Sequence, residues 1–285
     1  MMTTQHESLK KKTHLPSLIM KIFVYLSAAI TFTVLILLIA YIMIKGIPHL
    51  KPEFFSLHYT SDNVSFVPAL ITTVIMTALA LIVAVPLGLF AAIYLVEYTG
   101  KRKKLVGMIR LTTETLSGIP SIVYGLFGML FFVNAFGWGF SLLAGAFTMS
   151  IMILPLIMRQ TEESLKSVPD SFREGSFGLG AGKLRTVFRI VLPSAVPGIL
   201  AGVILAIGRI VGETAALMYT SGNVAKVPGS VMGSGRTLAL HMYTLSTEGL
   251  YMDQAYATAV VLLILVVGIN ALSSVIAKRL TKASQ

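Results

Sequence analysis

The stretch Glu174-Gly175-Ser176-Phe177-Gly178-Leu179-Gly180, followed after nine further residues by Ile190-Val191-Leu192-Pro193, lies in a polar loop between two long apolar segments. From Glu162 to Pro193, the apolar residues Leu165, Val168, Phe172, Phe177, Leu179, Leu184, Val187, Phe188 and Val191 recur at mixed three- and four-residue intervals. That spacing predicts short amphipathic helices lying against something. Pro169-Asp170-Ser171 predicts the start of one, with Asp or Ser accepting from the free amides at the cap. Gly180 and Gly182 predict a sharp turn between two helical pieces, because glycine takes positive φ without steric penalty. Periodicity alone leaves two readings open: a helix resting on lipid headgroups, or a surface gripped by a partner.

Working outward, the chain is a membrane protein. Its 285 residues are 55% hydrophobic and only 12% charged, with mean hydropathy +0.82, which is too little charge to cover a soluble globule. A bilayer span needs about 20 mainly apolar residues. Six segments qualify: Ile22–Ile44, Pro68–Val96, Leu116–Asn134, Ser141–Met158, Pro197–Tyr219 and Ala257–Ala277. The expected fold is all-α, a polytopic bundle of six transmembrane helices. The expected division is an N-terminal tail (1–21), a first span with its outer loop (22–67), a five-helix core (68–277) carrying the polar loop at 159–196, and a C-terminal tail (278–285). No small-x-small cleavage site follows the first span, which reads as a retained anchor.

Basic residues flanking spans stay on the cytoplasmic side. Lys10, Lys11, Lys12 and Lys21 precede span one, and Lys101, Arg102, Lys103, Lys104 and Arg110 fall between spans two and three. Arg159, Lys166, Arg173, Lys183, Arg185 and Arg189 fall between spans four and five, and Lys278, Arg279 and Lys282 close the chain. The alternate loops carry only Lys45, Lys51, Lys226 and Arg236. Both termini and the Glu174 loop are therefore expected in the cytoplasm. The net charge of +11 is a topology signal, with contact to acidic membrane lipid as a consequence. Its dispersal over loop flanks, without interleaved aromatics, argues against a nucleic-acid partner.

Several chemistries are poorly served. The chain has no cysteine, and His6, His14, His49, His58 and His241 share no ligand spacing, so no metal site is expected. Gly178-Leu179-Gly180-Ala181-Gly182-Lys183 resembles a phosphate loop only superficially. Phe177 stands where a Walker A sequence needs glycine, and Leu184 stands where it needs Ser or Thr. No cofactor is expected on this chain, and any use of ATP and Mg falls to a partner. An intramembrane enzyme lacks a paired nucleophile and base in the spans.

The other informative segment is Gly208-Arg209-Ile210-Val211-Gly212-Glu213-Thr214, which puts two ionised residues into span five. A charge at bilayer depth costs about 2.5–3.5 kcal/mol on insertion scales and must face protein or water. Arg209 and Glu213 are spaced to share a helix face and to pair. Gly198, Gly202, Ala206, Ala216 and Thr220 extend that face as a stripe of small residues, which admits a close helix or a solute. Two readings follow: a structural ion pair, or an oxyanion site. In the second, the Arg209 fork takes two oxygens, Thr214 lies alongside, and Glu213 accepts a hydrogen bond from a protonated oxyanion while repelling a fully ionised one.

Residue order adds a resemblance. Glu174, Gly180, Ile190, Leu192 and Pro193 occupy the spaced positions of the EAA motif of ATP-binding-cassette importer permeases, with Gly175-Ser176 replacing the two alanines. Arg209-Ile210-Val211-Gly212-Glu213-Thr214 resembles the phosphate-specific branch of that family. So do Ser117-Gly118-Ile119-Pro120-Ser121-Ile122-Val123-Tyr124-Gly125-Leu126-Phe127, Pro86-Leu87-Gly88 and Ala91-Ala92-Ile93-Tyr94-Leu95-Val96-Glu97-Tyr98. Within the branch the likeness is to PstA-type permeases, although PstC-type subunits share the Arg-x-x-Gly-Glu-Thr and Gly-Ile-Pro-Ser features.

The resemblance implies a type I (MetI-like) importer permease fold. It also implies a heterodimer with a PstC-type permease, a PstB-type ATPase dimer gripping the EAA loop, and a PstS-type phosphate-binding protein outside. Gly118, Pro120 and Ser121 then mark a broken helix along the substrate path. The alternatives are a permease for another oxyanion, molybdate or sulfate, and an ATP-independent anion transporter or channel.

Overall fold

The computed structural model describes residues 15–99 and 103–283. Lys10, Lys11, Lys12, Lys101 and Arg102 lie outside these. Regular structure among the described residues is entirely helical. The principal helices are α1 (Leu15–Gly46), α2 (Val67–Ile93), α3 (Lys103–Ser117), α4 (Ser121–Gly128), α5 (Leu142–Lys166), α6 (Asp170–Gly178), α7 (Lys183–Thr186), α8 (Leu192–Val211), α9 (Ala215–Met218), α10 (Leu238–Glu248) and α11 (Met252–Ala283). Wide π-type turns extend α2 to Tyr98, extend α4 to Ala135, and join α7 to α8.

Five helical stretches are long and apolar enough to cross a bilayer: Ser17–His49, Val67–Tyr98, Leu142–Lys166, Lys183–Val211 and Met252–Leu272. The third expected span is bent. Val106–Ser117 and Ser121–Ala135 meet at 99°, and the second arm rises only about 22 Å at 1.5 Å per residue, short of the ~30 Å hydrocarbon core. The fifth expected span also differs. Its helix starts at Lys183 and stops at Val211, leaving Gly212–Tyr219 outside it.

The core is built on close approach. Along α2, Ala80, Ala84, Gly88 and Ala92 repeat every four residues and are all buried. A Cβ on Gly88 would fall 2.7 Å from Ile157 Cγ2 of α5. The Ser150 hydroxyl donates to the carbonyl oxygen of Ala80 at 3.0 Å across the same interface. Met76, Met149, Met152, Ile153 and Ile157 fill the space that the alanines leave. In lipid, helix association rests on such packing, since apolar surface gains little by leaving one hydrocarbon for another. The small residues of α8 serve the same purpose: Gly198 lies on Ser164 and Gly202 on Gln160 of α5. Helix α1 is peripheral, exposing apolar side chains nearly all round and touching α11 where Gly46 meets the Tyr256 backbone.

Candidate functional site

Two constellations stand at different levels of the bundle. The first is the helix-turn-helix of α6 and α7. Helix α6 ends on Gly180, whose φ of +81° requires glycine and whose surroundings are open. The Gly180 amide donates to the Phe177 carbonyl at 2.9 Å, and the Ala181 amide to that of Ser176 at 3.1 Å, closing the helix end. Gly182 is extended, with φ −73° and ψ 160°, so the turn rests on Gly180 alone. The Ser176 and Thr186 hydroxyls, 2.8 Å apart, clasp the two helices.

The expected side-chain cap does not form. Asp170 pairs with Arg173 at 3.1 Å, and no hydrogen bond from Asp170 or Ser171 caps the helix. Pro169 fixes the entry backbone there, at φ −55° and ψ 140°.

The apolar residues of this region divide cleanly. Leu165, Val168, Val187 and Val191 are buried with Ile93, Ala195 and Ile199 beneath α6 and α7. Phe172, Phe177, Leu179, Leu184 and Ile190 face outward, and Leu179 at the turn is 91% exposed. Glu174 and Pro193 are also exposed, while Leu192 is half-buried. Gly180 and Ile190 line a cleft of about 640 Å³ with Phe172, Ser176, Arg185 and Arg189. Pro193 sits just after the π-type turn Val187–Val191. Lacking an amide hydrogen, proline cannot make the regular bond to residue 189, and the wide turn accommodates that loss.

Arg173 pins the element to the spans. Its guanidinium donates to Glu97 Oε1 from Nε at 3.1 Å and from Nη2 at 2.8 Å. It also donates to the carbonyls of Val168 and Leu165, each at 2.9 Å. One side chain thus satisfies the free carbonyl end of α5 and ties α6 to α2. Lys183 adds a contact 5.0 Å from the centroid of the Tyr98 ring. Glu97 and Arg173 were each within quoted motifs or basic clusters of the sequence, but nothing in sequence spacing paired them.

The second constellation surrounds the end of α8. Arg209 lies in its last turn, half-buried, and forms no ion pair with a described carboxylate. The expected Arg209–Glu213 pair is absent because the helix ends at Val211, and the i,i+4 face exists only while a helix continues. Glu213, 9% exposed, turns instead to the next segment, where its Oε1 accepts from the Ala216 amide at 3.0 Å and caps α9. Thr214 is the half-buried entry residue of α9.

The break between α3 and α4 lies close by. The Gly118 and Ile119 amides donate to the Thr115 and Leu116 carbonyls at 3.2 and 3.1 Å and close the end of α3, Pro120 redirects the chain, and Ser121 begins α4. The Tyr124 hydroxyl donates to the Leu116 carbonyl at 2.7 Å, bracing the bend. Gly125 brings α4 onto α9, since a Cβ there would lie 2.9 Å from the Ala216 Cα. The α3–α4 and α8–α9 breaks therefore meet, with Arg209 in the last turn of α8 at the second of them, whereas Ile190, Leu192 and Pro193 lie at the other end of that helix. Tyr124 stood inside a quoted motif, and only the fold gives it its role of bracing the α3–α4 bend.

Long apolar helices, one of them broken, with a solvent-facing helix-turn-helix at one end describe a multi-pass membrane protein. The chain belongs to the family of binding-protein-dependent transport system inner membrane components, which matches residues 84–283. It is 33% identical over 243 residues to the probable ABC transporter permease protein YqgI of Bacillus subtilis, covering 80% of this chain and 82% of that protein. It is 37% identical over 212 residues to the phosphate transport system permease protein PstA 1 of Mycobacterium tuberculosis strain H37Rv, covering 73% of this chain and 68% of that protein.

Among solved structures, a chain of the bacterial alginate ABC transporter in complex with an alginate pentasaccharide-bound periplasmic protein aligns with TM-score 0.67 and 15% identity. That alignment covers 94% of this chain and 98% of the other. A chain of the MetNI methionine ABC transporter in an inward-facing form aligns with TM-score 0.58 and 21% identity, covering 75% and 94%. These likenesses establish the type I importer permease fold.

Proposed function

We propose that this chain is a permease subunit of an ATP-driven importer for inorganic phosphate, and that Arg209, with Glu213 and Thr214, is its oxyanion site. The observation that carries the reading is an Arg209 guanidinium without a carboxylate partner among the described residues, placed where two interrupted helices meet. An arginine held only for structure is expected to be paired at this depth. A fork left free suits two oxygens of a tetrahedral anion. The relation to PstA permeases supplies the substrate, and the shared family features supply the partners: a PstC-type permease, a PstB-type ATPase dimer and an extracytoplasmic PstS-type binding protein.

In this reading the ATPase, which binds ATP and Mg, docks on the exposed apolar residues around Leu179 and on the EAA positions Glu174, Gly180, Ile190, Leu192 and Pro193. Its closure moves α6, and Arg173–Glu97 carries that motion into α2 while the continuous Lys183–Val211 helix carries it toward Arg209. Gly118, Pro120 and Ser121 supply the bend that lines the path. Both termini and the coupling element face the cytoplasm, in keeping with the basic loops between spans.

Reconstituted vesicles containing the assembled complex test the reading through uptake of labelled phosphate, with arsenate, sulfate and molybdate as competitors. ATP-dependent uptake inhibited by arsenate alone is expected. Arg209→Lys keeps the charge but loses the fork, so uptake should fall at least tenfold while the complex still assembles. Uptake without ATP would favour a channel or secondary transporter, and wild-type uptake by Arg209→Lys would remove Arg209 from the site.

A further inference from the structure

A second polar cluster lies at the opposite end of the bundle from the coupling helices. Thr72 and Glu97 are 25 residues apart on one helical stretch, so about 37 Å separates them at 1.5 Å per residue. The α2 turn at Thr72 and Thr73 meets the segment Gly235–Leu238, and Tyr59 covers Arg236 and His241 on either side of it. The Leu238 amide donates to Thr73 Oγ1 at 2.8 Å, stitching the start of α10 to α2. Thr72 also borders Gly235, whose added Cβ would lie 3.2 Å from the Thr72 methyl. The Tyr59 ring touches both basic residues: Arg236 Cζ sits 4.9 Å from its centroid, and the His241 ring meets it edge-on at 6.0 Å.

This cluster concentrates unmet hydrogen-bonding capacity. Six buried side-chain nitrogen or oxygen atoms among the described residues lack a partner in hydrogen-bond geometry, and five of them are here: Thr72 Oγ1, Arg236 Nε, Thr237 Oγ1 and the two ring nitrogens of His241, which the Val64 carbonyl approaches without closing a hydrogen bond. Arg236 is only 5% exposed, and the other three residues are fully buried. No described carboxylate pairs with Arg236. A buried cation without an anion is costly, and the Tyr59 ring offsets only part of that cost. Buried water could satisfy the hydroxyls, but it brings no negative charge.

We propose that Thr72, Arg236, Thr237 and His241, roofed by Tyr59, form a second oxyanion site that takes a small tetrahedral anion such as phosphate at the outer end of the pathway. This proposal rests on the importer reading above. Arg236 offers a fork to two oxygens, and the threonine hydroxyls can donate to the remaining ones. His241 is kept neutral by burial, reinforced by the charge of Arg236, with its pKa pushed down to about 3. A neutral ring donates from one nitrogen and accepts at the other, so it suits an anion that still carries a proton. Tyr59 also lines a cleft of about 310 Å³ with Leu57, His58, Lys226 and Val227. Its ionisable lining residues are basic or aromatic, and none is a carboxylate.

The test is equilibrium binding of labelled inorganic phosphate to the complete membrane complex in nanodiscs, without ATP or binding protein, comparing wild type, Arg209→Gln, Arg236→Gln and the double variant. Arg209→Gln should retain a phosphate site that weakens at least tenfold when Arg236→Gln is added. Loss of all binding in Arg209→Gln alone, or unchanged binding on adding Arg236→Gln, overturns the second site; water alone then fills the cluster.

Should Arg236→Gln fail to assemble, Thr72→Val and Thr237→Val in the Arg209→Gln background replace it. At least threefold weakening is expected, and unchanged affinity overturns the proposal. Parallel arms with labelled sulfate and molybdate separate this inference from the substrate reading. Arg236-dependent binding of those ions but not of phosphate leaves the site standing and removes phosphate as its ligand. Normal ATP-driven phosphate uptake with no Arg236-dependent binding does the reverse.

Discussion

Arg173 on α6 and Glu97 at the end of α2 are joined by two hydrogen bonds, from Nη2 at 2.8 Å and from Nε at 3.1 Å, to one carboxylate oxygen. Their side chains are 15% and 8% exposed. Because the same guanidinium also holds the Leu165 and Val168 carbonyls, a displacement of α6 cannot leave α2 and α5 where they were. The exposed apolar surface of α6 and α7 is therefore mechanically continuous with the two helices that form most of the core.

Arg173→Ala should destabilise the protein by about 3–5 kcal/mol, the usual cost of stranding one partner of a buried pair. Asp170→Ala removes only the 86%-exposed partner of the same arginine and should cost about 0–1 kcal/mol. Thermal midpoints of the purified chain in detergent check this: a large fall for the first variant and almost none for the second are expected. Equal falls would mean that the Glu97 contact contributes no more than the surface one.

Much of the architecture is legible in the sequence because the bilayer allows few solutions: backbone groups must be satisfied within each segment, so long apolar runs become helices. The turn at Gly180 is legible for a local reason, since only glycine takes that backbone freely. The Arg173–Glu97 contact is not, because it joins residues 76 apart in the chain and neither carries a spacing signal. Arg209 and Glu213 illustrate the opposite failure. Their four-residue spacing predicts a pair only if the helix continues, and nothing local announces that Glu213 caps α9 instead. Arg236 and His241 read as an outer-loop charge and a lone histidine until the fold folds Tyr59 and Thr72 over them.

Gly180→Val isolates backbone geometry from packing. Open space surrounds the position, so a side chain there meets no clash, but a β-branched residue at φ +81° is strongly disfavoured. The spans should insert normally while ATP-driven uptake falls at least tenfold, because the exposed Leu179 is carried on that turn. Gly180→Asn, which tolerates the left-handed region better, should recover part of the activity. Uptake by the valine variant at the wild-type rate would show that the turn does not position a coupling surface.

His241 makes stability depend on pH in a defined direction. Burial first, and the Arg236 charge second, lower its pKa from 6.5 to about 3, with the Val64 carbonyl pulling weakly the other way. Between those values the unfolded chain binds a proton that the folded chain refuses, so stability falls as pH drops below about 6.5 and goes on falling toward 3. At about 1.4 kcal/mol per pH unit, the loss from pH 7 to pH 5 should be about 2 kcal/mol. His241→Gln should lack this component. Thermal midpoints of both proteins at the two pH values, in buffers free of phosphate and sulfate, measure it; parallel pH dependences would place His241 in contact with water.

Glu213 separates a structural role from a selective one. As a cap it needs only an acceptor for the Ala216 amide at 3.0 Å, which the carbonyl oxygen of glutamine also supplies, so Glu213→Gln should leave the thermal midpoint nearly unchanged. Glu213→Ala removes the acceptor and should cost about 1 kcal/mol, as for other lost caps. If the carboxylate also discriminates among oxyanions near Arg209, its charge is what repels an anion with no proton to offer. Glu213→Gln should then keep phosphate uptake within about threefold of wild type, a factor worth about 0.7 kcal/mol, while sulfate becomes a competitor. Uptake assays with both anions decide between the roles: continued insensitivity to sulfate in Glu213→Gln, with stability intact, would confine Glu213 to capping α9.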